Sequence, residues 1–306
     1  MENPVVFSVV VPNYNRLEQL EEAILSVIGQ TFSDWELIII DDASEISLAP
    51  IIAKYESARV IFLRQEKNEG ASAARNRGID AARGKYIAFL DSDDQFLPDS
   101  LQTVFRKIEE YNFTDEDHVC ISSRYQLHTS ENSYVILPKV LLRDDEDVMR
   151  YLFVSGGRIR TSTIVVSKSC AQRARFDTKM IVNEDYDFVR RLQKQSVRFV
   201  MIPDALVKVS DKYGSNRLSR DKGAFKTASN WITSIQSQLA PDVVAAFMLR
   251  ELAPIAQSRT RRMGIFAENV LPASSMKFKS KCICLVKCLS PDLFRGLKKG
   301  YVRIAR

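Results

Sequence analysis

An α/β protein built on a doubly wound, largely parallel sheet follows from three features of this 306-residue sequence. Over roughly the first third, short apolar runs alternate with helical patterns. The runs are rich in β-branched residues and apolar at nearly every position, as in strands buried on both faces. Each run ends in a polar, acidic or glycine-bearing cluster, the place where ligands collect in sheets of this kind. With 45% hydrophobic residues the chain can bury one large core or two modest ones.

The first strand is read from VVFSVVV (5–11), and LEQLEEAILSVIGQ (17–30) has the spacing of an amphipathic helix. WELIII (35–40) gives the second strand, a helix follows near 48–57, and RVIFL (59–63) gives the third strand. ASAARNRGIDAAR (71–83) is the next helix, KYIAFL (85–90) the fourth strand, and Pro98 introduces a helix from Asp99 to Tyr111. Helices between successive strands make parallel βαβ pairing the expected connection.

After about residue 118 the pattern is mixed. HVCISSRYQL (118–127), SYVIL (133–137) and GRIRTSTIVVS (157–167) are strand-like, with a helix from Arg143 to Phe153 between the last two. A further helix should begin at Glu184 and run to Gln195, and VRFVMIP (197–203) and ALVKVS (205–210) read as two short strands. Residues 221–271 look helical, with Trp231, Ile232, Ile235 and Leu239 on one face and Pro241 restarting a second helix. The expected organisation is one domain over 1–220, in halves of about 1–115 and 116–220, followed by a helical extension over 221–306.

The net charge of +6 is concentrated in residues 276–306, which hold nine Lys or Arg against the single acid Asp292. The rest of the chain is therefore slightly acidic, which argues against a nucleic-acid partner. The tail mixes its basic residues with Phe278, Ile283, Leu285, Leu289 and Phe294, a composition that suits either an anionic membrane surface or packing on the core. The sequence begins without a basic leader and has no apolar run near the roughly 20 residues that span a bilayer, so a cytoplasmic protein, peripheral at the inner membrane face, is expected. Five cysteines, Cys120, Cys170, Cys282, Cys284 and Cys288, form an odd set and are expected to remain thiols.

Four strand ends carry the chemistry: PNYNR (12–16), DDAS (41–44), NEGASAARN (68–76) and DSDD (91–94). No GxGxxG and no GxxxxGK[ST] is present, which removes the usual dinucleotide and P-loop readings. A helix opening after Gly70, with small residues following and Arg75 one turn in, suits an anion. Asp91 and Asp93 offer hard oxygens to Mg²⁺ or Mn²⁺, or else cap the following helix. Asp41 or Asp42 can accept from a nucleobase or ribose, or cap a turn. Glu184 and Asp185, within NEDYDF, are either general-base candidates or acids favoured at a helix N-terminus.

The order of these pieces, FSVVVPNYNR, WELIIIDDAS, NEGASAARN, KYIAFLDSDD and NEDYDFVRRL, closely resembles the family 2 glycosyltransferases, which share the GT-A fold. The resemblance is continuous over 6–110 and resumes over 160–202. It implies that Pro12, Tyr14 and Arg16 border the nucleotide, that Asp42 contacts the base, and that Asn68, Gly70, Arg75 and Asn76 line the base and diphosphate side. It makes Asp91 and Asp93 a DxD motif, with Asp93 the principal ligand of Mn²⁺ or Mg²⁺, Asp91 a helper at the metal, nearer the ribose or the metal's water shell, and Asp94 a weaker candidate or a helix cap. It makes Asp185 the catalytic base, with Glu184 orienting the acceptor or the base. The implied partners are a nucleotide-sugar, with a UDP-sugar favoured, and a glycan or lipid-linked acceptor. The implied reaction inverts the anomeric centre and serves surface polysaccharide biosynthesis.

Two departures bear on that reading. Relatives often place a metal-ligand His after the ED motif, whereas LVKVSDKYGSNRLS (206–219) has none and offers Asp211 instead. The Gln-x-x-Arg-Trp motif and spanning helices of polymerising members are also missing, so transfer of one sugar is expected. Arg158, Arg160 and Thr161 are candidates to meet the acceptor. The competing readings are a catalytically silent nucleotide-binding scaffold and a nucleotidyltransferase, the latter disfavoured because PNYNRLEQL has no glycine.

Overall fold

A computed structural model of the protein describes residues 5–114, 118–130, 133–210 and 223–252. The tail 276–306, Asp211, and Cys282, Cys284 and Cys288 lie outside the described residues. The described residues group into two compact units, one comprising 5–148 and 156–210, the other 149–155 and 223–252.

The first unit is built on one nine-stranded sheet. Its parallel part contains β1 (Phe7–Asn13), β2 (Trp35–Asp41), β3 (Val60–Arg64) and β4 (Tyr86–Phe89), connected by α1 (Glu18–Ile28), α2 (Ala49–Tyr55) and α3 (Ala71–Ala81). β1 and β2 are buried along their whole length, as their unbroken apolar sequences predict. α1 buries Leu20, Ala23, Ile24 and Val27, one face at i, i+3, i+4, i+7, in the same cluster as Phe7, Val9 and Val11. α3 lies against β1 and β2, and it approaches closely because residue 78 is glycine. A Cβ there would sit 2.2 Å from Val10 Cγ1.

β5 (Asp94–Phe96) and α4 (Ser100–Glu110) follow, then β6 (Val119–Ser130), β7 (Ser133–Leu137), α5 (Val148–Phe153), β8 (Val165–Ser167), α6 (Lys168–Ala174), α7 (Glu184–Lys194) and β9 (Arg198–Ser210). The strand order is β3-β2-β1-β4-β8-β6-β9-β5, with β7 paired to β6. β8 runs antiparallel to β4 and to β6, and β5 runs antiparallel to β9, so the second half of the sheet is mixed.

Several sequence expectations change here. Asp94 does not cap α4: it opens β5, pairs with Val209 and is buried. The helix expected from Arg143 is only Val148–Phe153, since four consecutive acids, Asp144 to Asp147, precede it and favour turns over helix. GRIRTSTIVVS is strand only at its end, with a 3₁₀ turn at Thr161–Thr163. The two short strands near Pro203 are one, β9: the register with β6 shifts between Ile202 and Ala205, so Pro203 lies where no ladder hydrogen bond is required of it.

A polar staple closes the edge of the parallel strands opposite their carboxyl ends. Glu36, fully buried in β2, accepts from Ser8 Oγ at 2.6 Å and from the Arg83 backbone at 2.6 Å and guanidinium at 2.7 Å. Burial alone would raise its pKa, but these donors hold it below the ordinary carboxylate value.

In the second unit, α8 (Ala224–Ile235) buries Trp231, Ile232 and Ile235, and Pro241 starts α9 (Pro241–Phe247). Residues 149–155, assigned by sequence to the first domain, group with these helices. Phe153 packs edge-on against Phe247 at 5.0 Å, and Arg150 pairs with Asp242 at 2.8 Å. Among the described residues no helix is long and apolar enough to cross a membrane.

Candidate active site

The carboxyl ends of β1, β2 and β4 open on the same edge of the sheet, as their parallel pairing requires. At the end of β1, Pro12 and Asn13 are buried and Tyr14 is exposed. Asn15 adopts the left-handed conformation at φ 52°, a position Asn tolerates well. Its amide oxygen accepts from Glu45 N at 2.8 Å and Ile46 N at 3.3 Å, and its own N–H donates to Ser44 Oγ at 2.8 Å. This turn delivers Arg16, whose guanidinium reaches Asp93 Oδ1 at 2.9 Å and Ser92 Oγ at 3.4 Å. The sequence reading passed over Asn13, whose amide is buried with no hydrogen-bond partner among the described residues.

Asp41 and Asp42 end β2 and do different work. Asp41 pairs with Arg64 and accepts from Ser44 N at 3.1 Å. Asp42 accepts from Gln65 Nε2 and from the backbone N–H groups of Glu69 and Gly70, each at 2.8 Å. It therefore pins the loop that opens α3, where Gly70 holds φ +87°, a conformation that disfavours a side chain. Asp42 is itself buried, and these three donors take most of the roughly four acceptor positions of a carboxylate. Asn68 is exposed on this loop.

α3 carries the residue that joins the site together. Arg75, only 4% exposed, donates to Asp91 Oδ1 at 2.6 Å, lies 3.4 Å from Glu184 Oε1, and sits over the Phe176 ring at 5.2 Å. Burial works against its charge, but Asp91 and Glu184 outweigh burial and keep it a cation. Its neighbour Asn76 makes a two-way bond to the backbone of Phe176, both distances 2.9 Å. Both ends of that amide are engaged, so Asn76 fixes Phe176, whose ring stacks on Phe188 of α7 at 4.1 Å.

At the DSDD loop after β4, Asp91 and Asp93 are partly exposed while Ser92 and Asp94 are buried. Ser162, in the 3₁₀ turn, donates to Asp94 Oδ2 at 2.6 Å and accepts from Asp91 N at 3.1 Å. Asp94 is pushed up to about 8 by burial, then by Asp91 and Asp93. Ser162 was not among the sequence candidates; it lies about 70 residues away and no local pattern marks it.

α7 begins after Asn183, left-handed at φ 63°, and presents Glu184 and Asp185 in its first turn. Enclosure, and then the like charge of Glu184, push Asp185 up to about 7, against the pull of the Tyr186 N–H, Arg75 and Arg160. Asp185 Oδ1 accepts that N–H at 2.8 Å. The helix is anchored by Asp187, buried and paired with Arg190 at 3.0 Å and Arg191 at 2.5 Å. Of the acceptor candidates, Arg158 is exposed, Arg160 lies over the Tyr125 ring at 5.3 Å, and Thr161 is buried.

The arrangement brings DSDD and the ED pair to one place through Arg75. Among the described residues no three His, Cys, Asp or Glu side chains converge as a complete metal cage.

Comparison with known proteins agrees with this fold. The family model for glycosyl transferase family 2 matches residues 8–148. The amylovoran biosynthesis glycosyltransferase AmsB of Erwinia amylovora is 32% identical over 206 residues, covering 66% of this chain and 68% of AmsB. The putative teichuronic acid biosynthesis glycosyltransferase TuaG of Bacillus subtilis is 34% identical over 144 residues, 45% of this chain and 55% of TuaG. Among solved structures, S. aureus TarS 1–349 in complex with UDP-GlcNAc superposes with a TM-score of 0.65 at 17% identity, covering 93% of this chain and 82% of TarS. At that identity the likeness establishes the fold, which is GT-A.

Proposed function

The chain belongs to glycosyl transferase family 2 and is a glycosyltransferase, and we propose that it moves a single sugar from a nucleotide-sugar, a UDP-sugar favoured, to a hydroxyl of a glycan or lipid-linked acceptor. The observation that carries this reading is the Arg75 bridge, 2.6 Å to Asp91 and 3.4 Å to Glu184, which sets a phosphate-side acid cluster beside a proton-accepting pair. The names of AmsB and TuaG support a role in surface polysaccharide biosynthesis. The UDP and UDP-GlcNAc complexes of TarS support a nucleotide-sugar donor.

The donor set fits Mn²⁺ or Mg²⁺ shared with a substrate. Asp91 and Asp93 are accessible hard-oxygen ligands, and Mg²⁺ characteristically binds through one or two carboxylates plus phosphates and waters. When bound, the cation would neutralise charge building on the diphosphate leaving group.

The chain's own residues supply the rest. The exposed Tyr14 ring can stack on the base, and Asp42 has acceptor capacity left for it or the ribose. Arg75 holds Asp91 and Glu184 in fixed relation. Asp185, with a pKa near 7, takes the proton of the acceptor hydroxyl as its oxygen attacks the anomeric carbon from the face opposite the leaving group, so one displacement inverts the centre. The basic tail 276–306 would keep the enzyme at an anionic membrane face, beside a lipid-linked acceptor.

The test is release of nucleoside diphosphate by purified protein from a panel of UDP-, GDP- and dTDP-sugars with Mn²⁺ and a lipid-linked acceptor pool. Release with one donor class supports the reading. Nucleotide binding without release from any donor would support the silent scaffold instead.

A further inference from the structure

We propose that Arg16 is an exchangeable counter-ion of Asp93, so that the divalent cation enters as a complex with the nucleotide rather than ahead of it. The inference rests on the metal and nucleotide reading above. It starts from the two guanidiniums paired with Asp91 and Asp93, which are held very differently. Arg75 is 4% exposed and pinned by Asp91, Glu184 and the Phe176 ring. Arg16 is 39% exposed, and its contacts to the loop are Asp93 Oδ1 at 2.9 Å and Ser92 Oγ at 3.4 Å. Its backbone is fixed by the Asn15 turn, with Glu45, Ile46 and Ser44 bonded to Asn15, so the long side chain can swing from a fixed base.

Asp93, the principal ligand in the metal reading, has 25% of its side chain exposed and is paired with a guanidinium that is itself exposed, whereas Asp91, at 32%, is paired with the buried Arg75. A metal on this carboxylate would share it with the Arg16 guanidinium, setting two cations close together on one anion. At such close range like charges repel substantially even near a protein surface. A bare divalent ion on Asp93 therefore meets that repulsion, or displaces Arg16 into solvent and loses the pair. A metal–diphosphate complex brings its own anion, and a guanidinium released from Asp93 finds phosphate oxygens as its next partner, the geometry arginine favours. Arg16 thus opposes binding of metal alone and assists binding of metal with nucleotide.

The experiment measures Mn²⁺ affinity by electron paramagnetic resonance, with and without UDP, for the wild-type chain, Arg16→Gln and Arg16→Lys, and UDP affinity by calorimetry at saturating Mn²⁺. Arg16 is half-exposed, so the variants should fold. Arg16→Gln is expected to bind Mn²⁺ alone about 5- to 20-fold more tightly than wild type and UDP with Mn²⁺ about 3- to 10-fold more weakly. Arg16→Lys should fall between. A merely structural role for Arg16 would move both affinities the same way. If Arg16→Gln binds Mn²⁺ alone no more tightly than wild type while UDP still promotes Mn²⁺ binding, the exchange is refuted and the metal reading stands. If Mn²⁺ binds to no form even with UDP, both are refuted.

Discussion

At the end of β4, Asp91 and Asp93 each face a guanidinium, at 2.6 Å and 2.9 Å, whereas Asp185 at the start of α7 makes no ion pair among the described residues and has Glu184 as its neighbour in sequence. Both clusters are short acidic stretches after an apolar segment, and both lie within reach of Arg75. In the first, guanidiniums face the two partly exposed carboxylates, Asp91 and Asp93. The second is arranged so that one carboxyl sits near neutrality in its affinity for a proton. Environment, rather than residue type, separates the proposed ligands from the proposed base.

The largest effect expected from breaking this contrast is at Asp185. Asp185→Asn should lower kcat by at least about a thousandfold while leaving the Kd for UDP within about twofold, since proton acceptance is lost and the donor side is untouched. Steady-state kinetics with calorimetry checks it, and undiminished turnover would exclude Asp185 as base. The same variant tests the electrostatics. The folded pKa of about 7 lies above the value near 3.9 of an unfolded Asp, so ionising Asp185 costs stability, increasingly as pH rises from about 4 to 7 and fully above that. Asp185→Asn should therefore melt at a higher temperature than wild type at pH 8 and at the same temperature near pH 4.

Asp93→Ala should act on the other side of the comparison. We expect UDP affinity in Mn²⁺ to fall by about 10- to 100-fold and UDP affinity in EDTA to stay within about twofold, read by calorimetry in the two buffers. Equal losses in both would mean that Asp93 binds nucleotide without a metal. A pH effect at the lower end of that range comes next. A base with pKa about 7 must be unprotonated to act, so kcat/KM should rise about tenfold from pH 6 to pH 8 and then level off. A profile flat across that window would contradict the setting assigned to Asp185.

The two halves also differ in how far they could be read from the chain. VVFSVVV, WELIII and KYIAFL announce their strands because β1, β2 and β4 are buried along their length and their runs are apolar apart from Ser8, Glu36 and the leading Lys85, while RVIFL is legible from its β-branched and aromatic residues although β3 is only partly buried. The clusters after them fall at the site because parallel strands end on one edge. The mixed half gives weaker signals. β5 is three residues long, and its pairing with Val207 to Val209 of β9 could not be seen from Asp94 itself, which looks like a helix cap. α6 follows β8 without an intervening loop, so KSCAQRA carries no boundary of its own. β9 looked like two strands because Pro203 usually ends one, and a register shift accommodates it. The same limit applies at the site: the residue types of Asp93 and Asp185 are legible, whereas the bond from Asn76 to Phe176 exists only after residues 100 positions apart have met.

Ser162 offers the smallest and most selective test, because it belongs to the mixed half yet holds the acid loop of the parallel half. Its hydroxyl donates to Asp94 at 2.6 Å and accepts from the Asp91 N–H at 3.1 Å. Ser162→Ala removes the donor from a buried carboxyl and the acceptor from a loop amide, and a buried polar group left without its partner typically costs about 1–3 kcal/mol. Chemical denaturation should show a loss of that size with an unchanged m-value. UDP affinity in Mn²⁺ should fall only about two- to fivefold, because Arg75 still fixes Asp91. The midpoint of the kcat/KM profile should not move, since Asp185 owes its elevated pKa to enclosure and Glu184, neither of which Ser162 supplies. A shifted midpoint would show that the two acid clusters are coupled through the 3₁₀ turn and that their separate settings are one.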